Sequence, residues 1–420
     1  MTVEDAVITR FGDGRDWFFE RRFGLFVHWG LYAIPAWHEQ DQWRRAVPRR
    51  EYETLAARFN PVHFEPDAWL DLAEDAGMTY MCVTTKHHDG FCLWDTAQTD
   101  YNVMNTPYGR DVLRMLADAC HRRGFPLCLY YSVVDWHHPN YPNQNRSHEL
   151  PAPEDDDVPD MDAYLAFLKA QVHELCTQYG EIHGFWWDMN VTGVQDPSIN
   201  AMIRSLQPKA IINNRGFDDG DCGTPERDYE SAGAEVGAYD KLTEHCQAVG
   251  RESWGYRADE DYYADLYLMQ SIDRALARGA NYLLNVGPMA DGCIPDESAR
   301  ILQRIGDWYR CVCEAFDGTQ PASSMTDNQD VLLTRRGNTL YVHLFREPRL
   351  DRVLLRPIQR MPARATLLNT GENVEAIVEY IPSQFLEHHN RDAYLRLRHL
   401  SVNELSDTVI IVRLDFDDLG

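Results

Sequence analysis

Phe185, Trp186 and Trp187 run directly into Asp188. The apolar run from Ile182 to Trp187, broken only at His183, suits a short buried strand better than a helix. A carboxylate that closes a buried apolar strand is costly to desolvate unless it is paired or used. Asp188 is therefore a candidate catalytic group; its alternative role is a helix cap or turn former, both common for Asp. Carboxylates in a glycosidase work in pairs, one ionised and one kept protonated to assist the leaving group. Glu226, Glu230, Glu235 and Glu244 follow Asp188 in the chain, and composition does not choose among them.

Histidines supply the second chemistry. His28, His87 and His88 each follow an apolar run, and neither H-x-H nor H-E-x-x-H spacing is present. Neighbours on a strand point to opposite faces, so His87 and His88 could share an ion only beyond the strand's end. Hydrogen bonding to a polar, uncharged ligand fits them better than a metal site. Imidazoles reach sugar hydroxyls, and indole faces stack on the C–H side of the ring. Indoles are plentiful, among them Trp29, Trp37, Trp43, Trp94, Trp136, Trp186, Trp187 and Trp254, although any one of them is more readily a core residue than a sugar platform. No G-x-S-x-G elbow is present, which argues against a serine hydrolase.

These groups need a frame. Phe23–Gly30, Tyr80–Thr85, Pro126–Ser132, Ile182–Trp187, Ala210–Arg215 and Asn281–Gly287 read as strands. Helical spacing is expected over Pro66–Ala76, from a cap at Asp111 to Gly124, over Asp160–Tyr179, Ser198–Leu206, Asp261–Ala277 and Ser298–Ala315. The acidic segment Asp221–Gly255 reads as irregular. Strands alternating with helices imply a parallel sheet, and polar clusters stand directly after strand upon strand. That is the pattern of a (β/α)8-like barrel, whose site lies at the C-terminal ends of its strands. A doubly wound sheet would gather such residues at one switch point instead. After about Asp317 short strands follow one another, with Gly337-Asn338 a hairpin signal between two of them. We expect a barrel over residues 1–320 and an antiparallel β-sandwich over 321–420.

The 420 residues carry a net charge of -26, with 44% hydrophobic and 25% charged content. Such acidity argues against nucleic acid or an anionic membrane as partner. The acidic N-terminus has no following apolar run, and the ten cysteines are scattered without a C-x-x-C pair. They read as reduced thiols of a cytoplasmic protein.

The ordered set Phe26-Val27-His28-Trp29-Gly30, Lys86-His87-His88-Asp89-Gly90-Phe91, Tyr130-Tyr131-Ser132, Trp187-Asp188, Asn214-Arg215-Gly216, Ser253-Trp254-Gly255-Tyr256 and Leu284-Asn285-Val286-Gly287-Pro288 resembles the family 29 glycoside hydrolases, the α-L-fucosidases. The resemblance spans about Phe23 to Ile305. It implies a retaining exo-fucosidase working through a covalent fucosyl-enzyme, with no cofactor and no metal. Asp188 matches the family's nucleophile. His28, Trp29, His87, His88 and Tyr131 match positions that bind fucose or shape its pocket, as do Arg215 and Trp254. Glu226 matches a segment that carries the acid/base in some members, with Glu244 and then Glu230 as alternatives. Gln42 stands where many relatives have glutamate, and Glu39 is its possible replacement. A fucosylated oligosaccharide or small fucoside is the expected partner. A related glycosidase acting on an α-L-galactoside, or a barrel that binds carbohydrate without hydrolysing it, are the other readings.

Overall fold

A computed structural model describes residues 8–189, 194–227, 237–380 and 392–419. Its first architecture is a parallel sheet of strands β1 Phe23–Val27, β2 Tyr80–Lys86, β3 Leu127–Ser132, β4 Gly184–Asp188, β5 Ile211–Ile212, β6 Glu244–Ala248 and β7 Asn281–Val286. The order is β5-β4-β3-β2-β1-β7-β6. Between the two edge strands runs a segment, residues 222–227, that lacks regular strand pairing among the described residues. Its isolated bridges join Asn213 to Cys222, Gly223 to Thr243 and Glu226 to Cys246, all parallel. Backbone bonds from Asn214 N to Cys222 O (2.9 Å), Gly223 N to Leu242 O (2.9 Å) and Cys246 N to Pro225 O (3.2 Å) hold it there. Residues 222–227 thus serve as the eighth stave and close the (β/α)8-like barrel.

The strands are buried on both faces, as a parallel barrel requires. Phe26, Tyr80, Cys82, Cys128, Tyr130, Trp186, Cys246 and Leu283 form one cluster inside the barrel. Their chain neighbours Leu25, Val27, Met81, Leu129, Tyr131, Phe185 and Trp187 join the large core between strands and helices. The helices follow their local signals. Asp111 caps Val112–Arg123 by accepting from Arg114 N, and Gly124 ends it with φ +62. Asp160 caps Met161–Gln178 in the same way. No helix among the described residues is long and apolar enough to cross a membrane.

The C-terminal part holds β8 Gln320–Pro321, β9 Leu332–Arg336, β10 Thr339–Leu344, β11 Val353–Leu355, β12 Arg364–Leu367, β13 Glu375–Glu379, β14 Tyr394–Arg398 and β15 Ile410–Asp415. They form antiparallel sheets ordered β12-β15-β10-β9-β8 and β11-β14-β13. Alternate residues of the larger sheet divide between two cores. Leu332, Tyr341 and Ile411 belong to the barrel's core, whereas Leu333, Val342 and Val412 pack in a separate cluster with Leu395 and Leu397 of the smaller sheet. The buried pair Asp273–His343 (2.7 Å) ties the helix Asp265–Ala277 to β10.

Three local expectations change. β6 lies inside the segment expected to be irregular: its Glu-His-Cys-Gln-Ala sequence has no apolar run, although Glu244, Cys246, Gln247 and Ala248 are all buried. β5 is two residues long; beyond it the Asn213 side chain takes over the bonding to β4, pairing with the Trp187 backbone through Oδ1 and Nδ2, both at 2.9 Å. The expected division at 320/321 falls within β8, which pairs with β9.

Candidate active site

Asp188 closes β4. Its Oδ2 accepts the Tyr130 hydroxyl at 2.6 Å, and its Oδ1 accepts Met189 N at 2.9 Å and Arg215 Nη1 at 3.3 Å. His88 Nε2 stands 3.7 Å from Oδ2. Directly after the carboxylate, Met189 adopts φ +57, a left-handed conformation uncommon for a residue with a side chain and concentrated at functional sites. The same Arg215 nitrogen also bonds Glu226 Oε1, and Arg215 Nη2 donates to Thr224 O at 2.6 Å. Sharing one nitrogen brings the nearest oxygens of the two carboxylates to one guanidinium N–H group, closer together than the gap of an inverting pair. A retaining pair lies about 5–5.5 Å apart and an inverting pair about 6.5–9.5 Å apart.

The environments push the two carboxyls in opposite directions. Burial disfavours the charged form of Asp188, but the neighbouring His88, the Arg215 charge and the Tyr130 hydrogen bond outweigh it, so its pKa is lowered. Burial also acts on Glu226; Arg215 opposes it, the Asp188 charge reinforces it, and the net shift is upward. Two carboxyls driven apart in this way are the signature of a paired acid and nucleophile.

The histidines present acceptors. His28 Nδ1 lies 2.7 Å from Asn285 Oδ1, and Asn285 Nδ2 donates to Trp254 O at 2.7 Å. That second bond fixes the amide, so the His28 proton sits on Nδ1 and Nε2 keeps its lone pair. His88 Nδ1 lies 2.6 Å from Ser132 Oγ, whose own proton goes to Val134 O at 2.6 Å. His88 is therefore also protonated at Nδ1. Burial is the main cause that brings both imidazoles down to about 4, and they are neutral at pH 7. His87 is buried, stacks on Tyr130 with centroids 5.5 Å apart, and its Nδ1 has no partner among the described residues. Bare nitrogens beside an ionised carboxylate can receive the hydroxyl protons of a neutral polyol. His87, His88 and Asp188 also bring three possible metal-ligand atoms within 4.8 Å, but Arg215 already supplies positive charge to that carboxylate.

The α-L-fucosidase family profile matches residues 12–314. The chain belongs to the α-L-fucosidase family. It is 26% identical to the tissue α-L-fucosidase of Bos taurus over 392 residues, covering 86% of this chain and 81% of the relative. Among solved structures it resembles α-L-fucosidase isoenzyme 1 from Paenibacillus thiaminolyticus at a TM-score of 0.84, with 32% identity over 97% of this chain and 99% of that one. It also resembles, at a TM-score of 0.77 and 25% identity over 98% of each chain, a Bacteroides thetaiotaomicron α-L-fucosidase described as a trapped covalent intermediate with 2-fluoro-fucosyl fluoride.

The residues matched to this fucosidase family do not all converge. His28, His87, His88, Asp188, Arg215, Glu226 and Trp254 do: the Trp254 ring lies 5.4 Å from His28 and under the Arg227 guanidinium at 4.5 Å. Tyr131 does not. It faces the helices, donates to Gln171 Oε1 at 2.6 Å and lies beneath Lys86 Nζ at 4.4 Å. Strand alternation gives its place in the site to Tyr130. A register shift between Thr84 and Lys86 sets Lys86 opposite Tyr131 on the same side of the sheet. Trp29 is a core residue: its Nε1 donates to Met289 O at 2.9 Å, and it packs on Phe59, Phe64 and Trp69. Glu230 and Glu235 lie outside the described residues. Glu244 starts β6, at the far end of the barrel from Asp188.

Glu39 answers part of the question raised by Gln42. Its buried Oε2 accepts Ser253 Oγ (2.8 Å), Trp254 N (2.9 Å) and Gly255 N (3.3 Å), fixing the loop that carries Trp254. Gln42 is buried, and its Nε2 has no partner among the described residues. A carboxylate that holds a loop through backbone amides has no marker in a single sequence, and Glu39 could be singled out only as a spare acid beside Gln42.

Proposed function

We propose that the protein is a retaining exo-α-L-fucosidase that hydrolyses terminal α-L-fucosyl linkages of oligosaccharides or small fucosides. The observation that carries this reading is the pair Asp188 and Glu226, joined by one arginine nitrogen and driven to opposite protonation states. In the first step an Asp188 oxygen bonds to the anomeric carbon as the glycosidic C–O bond breaks. The Glu226 proton passes to the leaving oxygen. In the second step water attacks the same carbon, Glu226 takes its proton, and the Asp188–sugar bond breaks. The pKa logic supports the change of role. Forming the ester removes the Asp188 charge that helps keep Glu226 protonated, so Glu226 becomes a better-ionised base when a base is needed.

His28, His87 and His88 would bind the sugar hydroxyls as neutral acceptors, with Trp254 beside them as the apolar face. The cytoplasmic assignment is supported by ten cysteines that stand as free thiols. Incubation with 2-fluoro-fucosyl fluoride, followed by peptide mass mapping, tests the mechanism. A single 2-fluorofucosyl adduct on the peptide containing Asp188 is expected. An adduct on a different carboxylate, or slow-substrate turnover without any adduct, overturns it.

A further inference from the structure

Glu244 takes no part in the reaction above, yet it is buried inside the barrel at 4% exposure. Its Oε1 accepts the Tyr80 hydroxyl at 2.6 Å and its Oε2 accepts the Trp186 indole N–H at 3.1 Å. Donors from β2 and β4 thus converge on one carboxylate at the start of β6. Both carboxylate oxygens serve as acceptors; the indole N–H can only donate, so its bond needs an oxygen at this position, whereas the Tyr80 hydroxyl could turn and accept. Removing such an acceptor strands two buried donors.

The indole so anchored is a platform for the nucleophile's own partners. The Arg215 guanidinium carbon lies 4.9 Å from the Trp186 ring centroid. The Tyr130 ring stacks on Trp186 at 5.6 Å with 16° between planes. Arg215 and Tyr130 are the side chains that hydrogen-bond Asp188. Trp186 itself precedes Asp188 by two residues on β4 and points to the same interior face. A rotation of the indole would therefore move both bonds to Asp188 together.

We propose that Glu244 is a positioning residue for the nucleophile: by holding the Trp186 indole, it sets the Tyr130 hydroxyl and the Arg215 guanidinium on Asp188. This rests on the assignment of Asp188 as nucleophile. Besides Tyr80 and Trp186, the groups facing Glu244 are the thiols of Cys82, Cys128, Cys222 and Cys246. Burial among them pushes its carboxyl up to about 7 against the two hydrogen bonds.

The test compares Glu244→Met and Trp186→Phe with the wild type. Each breaks the carboxylate–indole link from one side, so a folding failure in one leaves the other as readout. Arg215 and Tyr130 hold the Asp188 pKa down, and loosening them raises it. The acidic limb of the pH profile of kcat/KM should move up by roughly half a unit or more in both variants, within the range a nearby opposite charge controls. A purely structural carboxylate would lower folded yield or kcat and leave the limb in place, and an unmoved limb in both variants overturns the proposal. Labelling with 2-fluoro-fucosyl fluoride on the wild type separates the two failures. A label on Asp188 with an unmoved limb rejects only the role of Glu244; a label elsewhere rejects the nucleophile on which that role depends.

Discussion

The two walls of the site are built differently. On one wall His28, His87, His88, Tyr130 and Asp188 stand near or just beyond the ends of β1 to β4, four adjacent strands in parallel pairing with one irregularity, between Thr84 and Lys86. On the other, Arg215 and Glu226 hang from a two-residue strand and from a stave joined only by isolated bridges. The first wall is a lattice in which each side chain's direction follows from strand parity. The second depends on Arg215, which touches Asp188, Glu226 and the Thr224 backbone. A rigid wall suits a nucleophile and neutral acceptors, whose positions need not change. A wall held by one arginine suits a carboxyl that must give up a proton and later retrieve one.

The sharpest way to break this contrast is to remove the nucleophile. Asp188→Ala should lower kcat/KM for an aryl α-L-fucoside by roughly 10⁴-fold or more, with thermal unfolding still cooperative and azide restoring part of the turnover. Near-wild-type activity would sink the assignment of the rigid wall. Glu226→Gln comes next. With a poor leaving group the loss should be about 10²–10⁴-fold, the usual worth of a general acid. With a nitrophenyl fucoside, which leaves without protonation, the loss should be smaller. Asp188 must be ionised, so activity falls as pH drops through its lowered pKa. Glu226 must be protonated, so activity falls as pH rises through its raised pKa. The variant should therefore lose the alkaline limb and keep the acidic one. An alkaline limb that survives would move the acid to Glu230 or Glu235.

Arg215→Met probes the link between the walls. The guanidinium lowers both carboxyls, so its loss should shift both limbs of the profile upward together. The accompanying loss of rate should be on the order of 10²-fold, as for removal of one preorganised donor. Movement of only one limb would mean that the arginine serves one carboxylate and merely touches the other.

The same contrast explains what could be read from one sequence. The first wall was legible because apolar runs marked the strands and polar clusters marked their ends. Asp188, His28, His87 and His88 were found from those signals. Choosing between Tyr130 and Tyr131 required the register of β3 against β4, which depends on pairing across the sheet. Trp29 misled for a related reason: it follows a strand like His28 but turns outward into a cluster of Phe59, Phe64 and Trp69. On the second wall β6 carries Glu244, His245 and Gln247 among five residues and has no apolar run to announce it. The stave carrying Glu226 is defined by its bridges to β5 and β6, so a family match, and no local pattern, brought Glu226 forward.

The tyrosine pair yields the smallest effect and the finest test of the lattice. Tyr130→Phe removes a hydrogen bond to an ionised carboxylate, and kcat/KM should fall about tenfold, near the lower end of what such a bond contributes. Its hydroxyl helps lower the Asp188 pKa, so the acidic limb should rise while the alkaline limb stays. Tyr131→Phe, one residue away, deletes a hydroxyl that donates to Gln171 behind the barrel wall. It should cost about 1 kcal/mol of stability through the unpaired amide oxygen and leave the pH profile unchanged. Equal kinetic effects from the two variants would mean that strand parity does not separate the inside of this barrel from its outside. A limb shift in Tyr130→Phe alone would locate that boundary between two adjacent residues of β3.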